Sequence, residues 1–115
     1  MAYPITIDAL RVLDAIARKG SFAAAAEEMH RVPSAISYTV HKLEEDLGVA
    51  LFDRTGHRAT LTNAGHYLLE EGRQLLEAAD TLARTTRRVA QGWETRLTIA
   101  VDALLPLESL FPAIR

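Results

Sequence analysis

The sequence predicts a mostly α-helical chain with one small β-hairpin. Three observations carry this. Apolar residues recur at helical spacing in three short segments, divided by Gly20, by Arg31-Val32 and by Gly48. Residues 49–62 hold two short apolar runs on either side of Thr55-Gly56, the pattern of a hairpin. From Asn63 to about Gln91 a helical period then continues unbroken, at the upper end of helix length for a globular chain.

The elements follow in order. Thr6 is placed to cap the first helix, with Asp8 in its first turn and Leu10, Leu13, Ile16 and Ala17 on its apolar face. Gly20 stops it and Ser21 caps the second, FAAAAEEMH, whose core face is Phe22, Ala25, Ala26 and Met29. The small alanines permit close approach of another helix. After the short turn at Arg31-Val32, Pro33 suits the first turn of a third helix that runs to Leu47 and ends at Gly48. The long fourth helix is capped by Thr62 or Asn63. It carries an apolar stripe at heptad spacing, Leu68, Leu75, Leu82 and Val89, with Gly72, Ala79 and Thr86 one turn later and Leu69, Leu76, Ala83 and Ala90 broadening it. Such a stripe outruns what a domain of this size covers, so a second copy is the expected partner for Leu68, Gly72, Leu75, Leu76, Ala79, Leu82, Ala83, Thr86 and Val89. Beyond Gly92, Leu97, Ile99 and Val101 alternate with Thr98, Ala100 and Asp102 as in a strand over 97–102, and a short helix is expected after it.

Composition narrows the function. The chain has 115 residues and no cysteine, which rules out a disulfide framework and thiolate metal sites and suits the cytoplasm. No signal peptide or membrane-spanning run is visible. The four histidines sit on separate elements without ligand spacing, and there is no phosphate loop or nucleophile–base pair, so an enzyme is not expected, and no cofactor or metal. Net charge is −2, without the overall basic balance usual in nucleic-acid binding. The distribution is uneven, however. Between Met29 and Leu43 the chain places His30, Arg31, His41 and Lys42 with no acid, and between Arg54 and Thr62 it places Arg54, His57 and Arg58, again with no acid.

Helix, tight turn, helix and hairpin in that order form a winged helix-turn-helix, whose second turn helix enters the DNA major groove by its N-terminal half. The free face of that helix holds Ser34, Ser37, Tyr38 and His41, and its carboxylates wait until Glu44. Small hydroxyls allow close approach to base edges, while acids are kept to the end that leaves the groove. The expected double-stranded DNA contacts are Arg31, Pro33, Ser34, Ser37, Tyr38, Thr39, His41 and Lys42 from the helix region and Arg54, His57 and Arg58 from the wing. Some have a second reading. Tyr38 either touches DNA or lies across apolar surface. His41 is either a contact or a solvated surface group. Arg54 either meets DNA or pins the wing to the third helix through a carboxylate.

These residues carry a resemblance. Gly20-Ser21-Phe22, Ala25-Ala26, Ala35-x-Ser37, Leu43-Glu44, Leu47-Gly48-Val49, Leu51-Phe52-x-Arg54 and Leu61-Thr62-x-x-Gly65 resemble the N-terminal DNA-binding domain of LysR-type transcriptional regulators, over about residues 5 to 91. The resemblance implies a bacterial activator or repressor that reads a two-fold-symmetric site. It implies a homodimer formed through the linker helix, a tetramer at full length, and a C-terminal domain that binds a small effector. The implied organisation is a DNA-binding domain over 1–62, a dimerising linker helix over 63–92, and over 93–115 a hinge and the first strand of the effector-binding domain. Pro33 and Ser34 stand where many members have Gln-Pro, and Tyr38 where many have Arg, so the base sequence read should differ from the family's commoner one. A protein-interaction module of the same fold is the alternative, favoured by the acidic net charge. RNA binding by the wing lacks an aromatic stacking platform.

Overall fold

The structure is a computed structural model that describes residues 3–55 and 58–104, with 93–104 given by their backbone. Its elements are α1 (Ile7–Lys19), α2 (Phe22–Met29), α3 (Pro33–Leu47), β1 (Phe52–Asp53), β2 (Thr60–Leu61) and α4 (Asn63–Leu104).

Local chemistry sets the boundaries. Thr6 is extended, and its Oγ1 accepts the Ala9 N–H at 3.0 Å. Ser21 does the same for Ala24 at 3.0 Å. Each hydroxyl satisfies a backbone donor that the first helical turn leaves without a partner. Gly20 ends α1 in the left-handed region at φ 85°. His30 takes that conformation at the end of α2, with φ 57°, although it carries a Cβ. There the Arg31 N–H reaches back to the Ala26 carbonyl at 2.9 Å, which closes α2 and makes the turn tight.

The core forms where α1, α2 and α3 meet. Val12, Leu13 and Ile16 of α1 pack with Ala25 and Ala26 of α2, Ile36, Val40 and Leu43 of α3, and Leu51, Phe52 and Leu69 beyond them, all buried. Burial of Val12 and Ala15 in addition to the expected face shows that α1 is covered on more than one side. Phe22 meets Phe52 edge to face, with ring centroids 5.4 Å apart, which ties β1 to α2. The hairpin is antiparallel, with Phe52 opposite Leu61 and Asp53 opposite Thr60.

The start of α4 belongs to this same compact unit, which runs to Ala78. Thr62 caps it, its Oγ1 accepting the Gly65 N–H at 3.0 Å. Leu69 is in the core and Leu68 packs against it. Gly72 is buried, and a Cβ there would stand 2.7 Å from Leu10 Cδ2, so its small size serves α1 of the same chain. An ion network lies on α1: Asp14 accepts from Arg18 at 2.9 Å and from Arg73 of α4 at 2.7 Å, while Arg18 also reaches Glu28 of α2. Burial raises the Asp14 carboxyl, but these two guanidinium bonds outweigh it and hold the group below the usual carboxylate range.

One expected element is corrected. The strand over 97–102 is helical, because α4 continues to Leu104 across a break at Gly92, where φ is 177°. A strand needs a partner, and among the described residues the two strands pair with each other. Apolar residues at 97, 100, 101 and 104 also fit a helical spacing, so the alternation was ambiguous. The short helix expected after the strand falls outside the described residues. The second unit begins at Ala79 and holds the rest of α4. No described helix is long and apolar enough to cross a membrane.

Candidate nucleic-acid interface

α3 presents its free face as the sequence orders it. Ile36, Val40 and Leu43 point into the core, and this fixes what turns outward. Ser34, Tyr38 and His41 are exposed, Tyr38 by 67%, and Ser37 is half-buried between them. His41 Nδ1 lies 2.9 Å from the Ser37 carbonyl, which orients the ring along the helix. Thr39 is half-buried, and its hydroxyl donates to the Ala35 carbonyl at 3.1 Å, so it is turned to its own backbone. Pro33 occupies the first helical position, and the residue before it, Val32, offers no side-chain cap.

The expected cations divide into two groups. Arg31 is bound to Asp8 by two guanidinium bonds, one of 3.0 Å, and the same pair holds the Asp8 carboxyl below its ordinary range. Lys42 lies 3.4 Å from Asp46 one turn on. Arg54 takes the structural option: its Nη2 is 3.3 Å from Glu44 Oε1 and its guanidinium stacks over Phe22, 5.5 Å from the ring centre. Arg58 is exposed and, among the described residues, has no ion-pair partner. It lies over the turn before α2, where a Cβ on Gly20 would stand 2.6 Å from its Nη2. His57 falls outside the described residues.

Glu44 is the α3 carboxylate that holds Arg54, and it has a further part. Its Oε2 accepts the Leu51 N–H at 2.7 Å and the Phe52 N–H at 3.3 Å, latching β1 to α3. Burial raises its carboxyl, but the Leu51 N–H, the Arg54 charge and the Phe52 N–H together bring it below the usual value. A group depressed in the folded state stabilises above its unfolded pKa, and that contribution is lost as pH falls through the folded value. Glu44→Gln is therefore expected to cost about 1 kcal/mol at pH 7, the scale of a charge-assisted bond reduced to a neutral one, and less in acid. Thermal melts followed by circular dichroism across pH check this, with the gap between the two proteins narrowing as pH falls.

Ser37, His41, Arg54 and Arg58 come together with Ser21, Phe22, Asp53 and Ala59 around an open cleft of about 320 Å³ between α3, the start of α2 and the wing. Asp53 is the one acid in it. Its carboxylate is occupied by the Thr55 N–H at 3.0 Å and hydroxyl at 2.8 Å, which hold it below its ordinary range. Arg31, Ser34, Tyr38 and Lys42 do not line this cleft. Among the described residues no three His, Asp or Glu side chains gather as a metal site.

This geometry, three helices with a wing beside the third, has known counterparts. Residues 7–66 match the model of a family described as bacterial regulatory helix-turn-helix proteins, lysR family. The chain belongs to the LysR family. Within it, the chain is 61% identical over 110 residues to the probable HTH-type transcriptional regulator YhaJ of Escherichia coli K12, covering 96% of this chain and 37% of that protein. It is 49% identical over 96 residues to the HTH-type transcriptional regulator PunR of the same organism, covering 84% of this chain and 31% of PunR. The chain thus spans about a third of the length of these relatives. Among solved LysR-family structures, the CbnR DNA-binding domain in complex with DNA superposes with a TM-score of 0.70 at 36% identity, over 75% of this chain and 99% of that one. The BenM DNA-binding domain on its benA site 1 DNA gives 0.73 at 28% identity, over 76% and 99%.

The stripe on α4 is divided by the fold. Leu68 and Gly72 are drawn into the chain's own core, whereas Leu75, Leu82 and Val89 are 54%, 69% and 40% exposed. Leu76 and Ala79 are half-buried, and Ala83 and Thr86 are exposed, with the Thr86 hydroxyl donating to the Leu82 carbonyl at 2.7 Å.

Proposed function

We propose that this chain is the DNA-reading part of a cytoplasmic LysR-type transcriptional regulator, with α3 in the major groove of double-stranded DNA. The observation that carries this is the acid-free stripe of exposed Ser34, Tyr38 and His41 with half-buried Ser37 between them, which runs into a cleft with Arg58 at its rim. Ser34, Ser37, Tyr38 and His41 approach base edges. Arg58 and the first turn of α2 take a flanking phosphate. Arg31 and Arg54 act indirectly, by fixing α1 to the turn and the wing to α3, and Lys42 reaches a phosphate only by leaving Asp46. Occurrence in DNA complexes of CbnR and BenM supports this reading.

The linker helix, residues 63–92, joins two copies through Leu75, Leu82 and Val89, with Leu76, Ala79, Ala83 and Thr86 alongside, and two copies read a two-fold-symmetric site. Tetramers and a small effector belong to the full-length regulator. Leu82→Glu is expected to convert the dimer to a monomer in sedimentation velocity without lowering the melting temperature of the DNA-binding unit, because Leu82 is 69% exposed within one chain. A dimer that survives the change would place the interface elsewhere.

A protein-interaction module is the second reading, favoured by the internal pairing of Arg31 and Arg54 and a net charge of −2. Selection from a random duplex pool separates the two. Enrichment of one two-fold-symmetric sequence supports DNA reading, and no enrichment favours the protein partner.

A further inference from the structure

We infer that Val32 is a specificity residue that reads a thymine methyl group, an inference that rests on the DNA-reading function proposed above. Val32 occupies the N-cap of α3 with φ −74° and ψ 150°, and its side chain makes no capping bond. Serine, threonine, asparagine or aspartate at that place would give the first turn a side-chain acceptor, whereas here the Ala35 N–H falls back on the Val32 carbonyl at 3.0 Å. Thr6 and Ser21 supply such an acceptor for α1 and α2 in this same chain. α3 alone of the three forgoes it, at the end that leads into the groove.

What replaces the hydroxyl is an apolar tip. Val32 is 63% exposed, and Pro33, also exposed, adds a second apolar group with no N–H to offer a phosphate. The extended conformation imposed by a following proline suits a β-branched residue, but it does not call for an apolar one, since threonine is as branched. Arg31, the cation beside this tip, is held by Asp8. An apolar surface at the entry of the major groove has one natural counterpart there, because the thymine C5-methyl is the only apolar group that base edges present in that groove. The energetic pattern is that of a binding residue: a local rule for stability is broken where contact is made.

The test uses the duplex that the chain itself enriches from a random pool. Each thymine in a half-site is replaced in turn by uracil, which keeps the base pair and removes only the methyl. For the chain as it stands, one position is expected to lose about fourfold in affinity per half-site, the factor for one buried methyl-sized group. Val32→Ser is expected to bind the thymine and uracil duplexes alike at that position while melting at a higher temperature, because it regains the cap. Val32→Ala should lose the same discrimination without the gain in melting temperature. If Val32→Ser keeps the full preference for thymine at every position, the inference is overturned while DNA reading stands. If the pool yields no enriched sequence, both fall together.

Discussion

Ser37→Glu combined with Arg58→Glu is expected to weaken DNA binding at least about 100-fold and to leave the fold intact. Ser37 lies in the middle of the exposed stripe of α3, and both residues line the cleft beside the wing. Arg58 is the expected wing cation that keeps no internal partner among the described residues, so its reversal removes the least encumbered phosphate contact and puts repulsion in its place. Like charges brought together at an interface cost several kcal/mol, and each 1.4 kcal/mol is about tenfold in affinity. Neither substitution touches the core, which is built from Leu10, Leu13, Ile16, Ile36 and their neighbours. Affinity from fluorescence anisotropy and melting temperature from circular dichroism separate the effects. Unchanged affinity would mean that the contact face lies elsewhere on the molecule.

Gly65→Ala is expected to have the largest effect on stability, about 3 kcal/mol. Gly65 is buried in the first turn of α4, beneath the end of the wing. A Cβ there would stand 2.2 Å from the Leu51 carbonyl oxygen and 2.8 Å from Leu61 Cδ2. The first neighbour is backbone. It cannot rotate aside, and it already accepts the Thr62 N–H at 3.0 Å. Relief requires α4 to lift from β1 or the Leu51 segment to give up its bonds to Glu44 and Thr62. Overpacking of this kind costs roughly 1 to 3 kcal/mol, and rigid backbone sits at the upper end. For a domain of this size that corresponds to a fall of roughly 15 °C in Tm. Gly72→Ala offers the contrast. Its Cβ would meet Leu10 Cδ2 at 2.7 Å, the tip of a side chain that can turn, so a smaller loss is expected there. Melting of the two variants side by side checks the distinction.

The local features of the fold are legible in the sequence because they depend on neighbours a few residues away. The caps Thr6 and Ser21, the stops Gly20 and Gly48, and the Ala25-Ala26 contact follow from spacing and residue type. Contacts that depend on distant segments are not. Arg31 finds Asp8 across the three-helix unit, and Glu44 finds the backbone of Leu51 and Phe52 only once the hairpin has folded back. In the sequence Arg31 reads as a DNA contact and Glu44 as an acid kept clear of the phosphates. Gly72 shows the same limit, since its place in a heptad stripe points to a second copy while its actual neighbour is Leu10. The alternation at 97–102 gave the wrong element because the short apolar run fits helix and strand alike. Among the candidate contacts, exposure of Ser34, Tyr38 and His41 follows from the helical period, whereas the gathering of Ser37, His41, Arg54 and Arg58 around one cleft depends on how the wing packs against α3.

The measurement that tests DNA reading most directly is fluorescence anisotropy of the pool-selected duplex against a shuffled duplex of the same composition, across a salt series. DNA reading predicts tighter binding to the selected duplex at near-physiological salt, and affinity for both duplexes that falls linearly in log–log form as salt rises, with a slope set by the number of phosphates neutralised. Equal and weak binding to both duplexes at every salt concentration would contradict it.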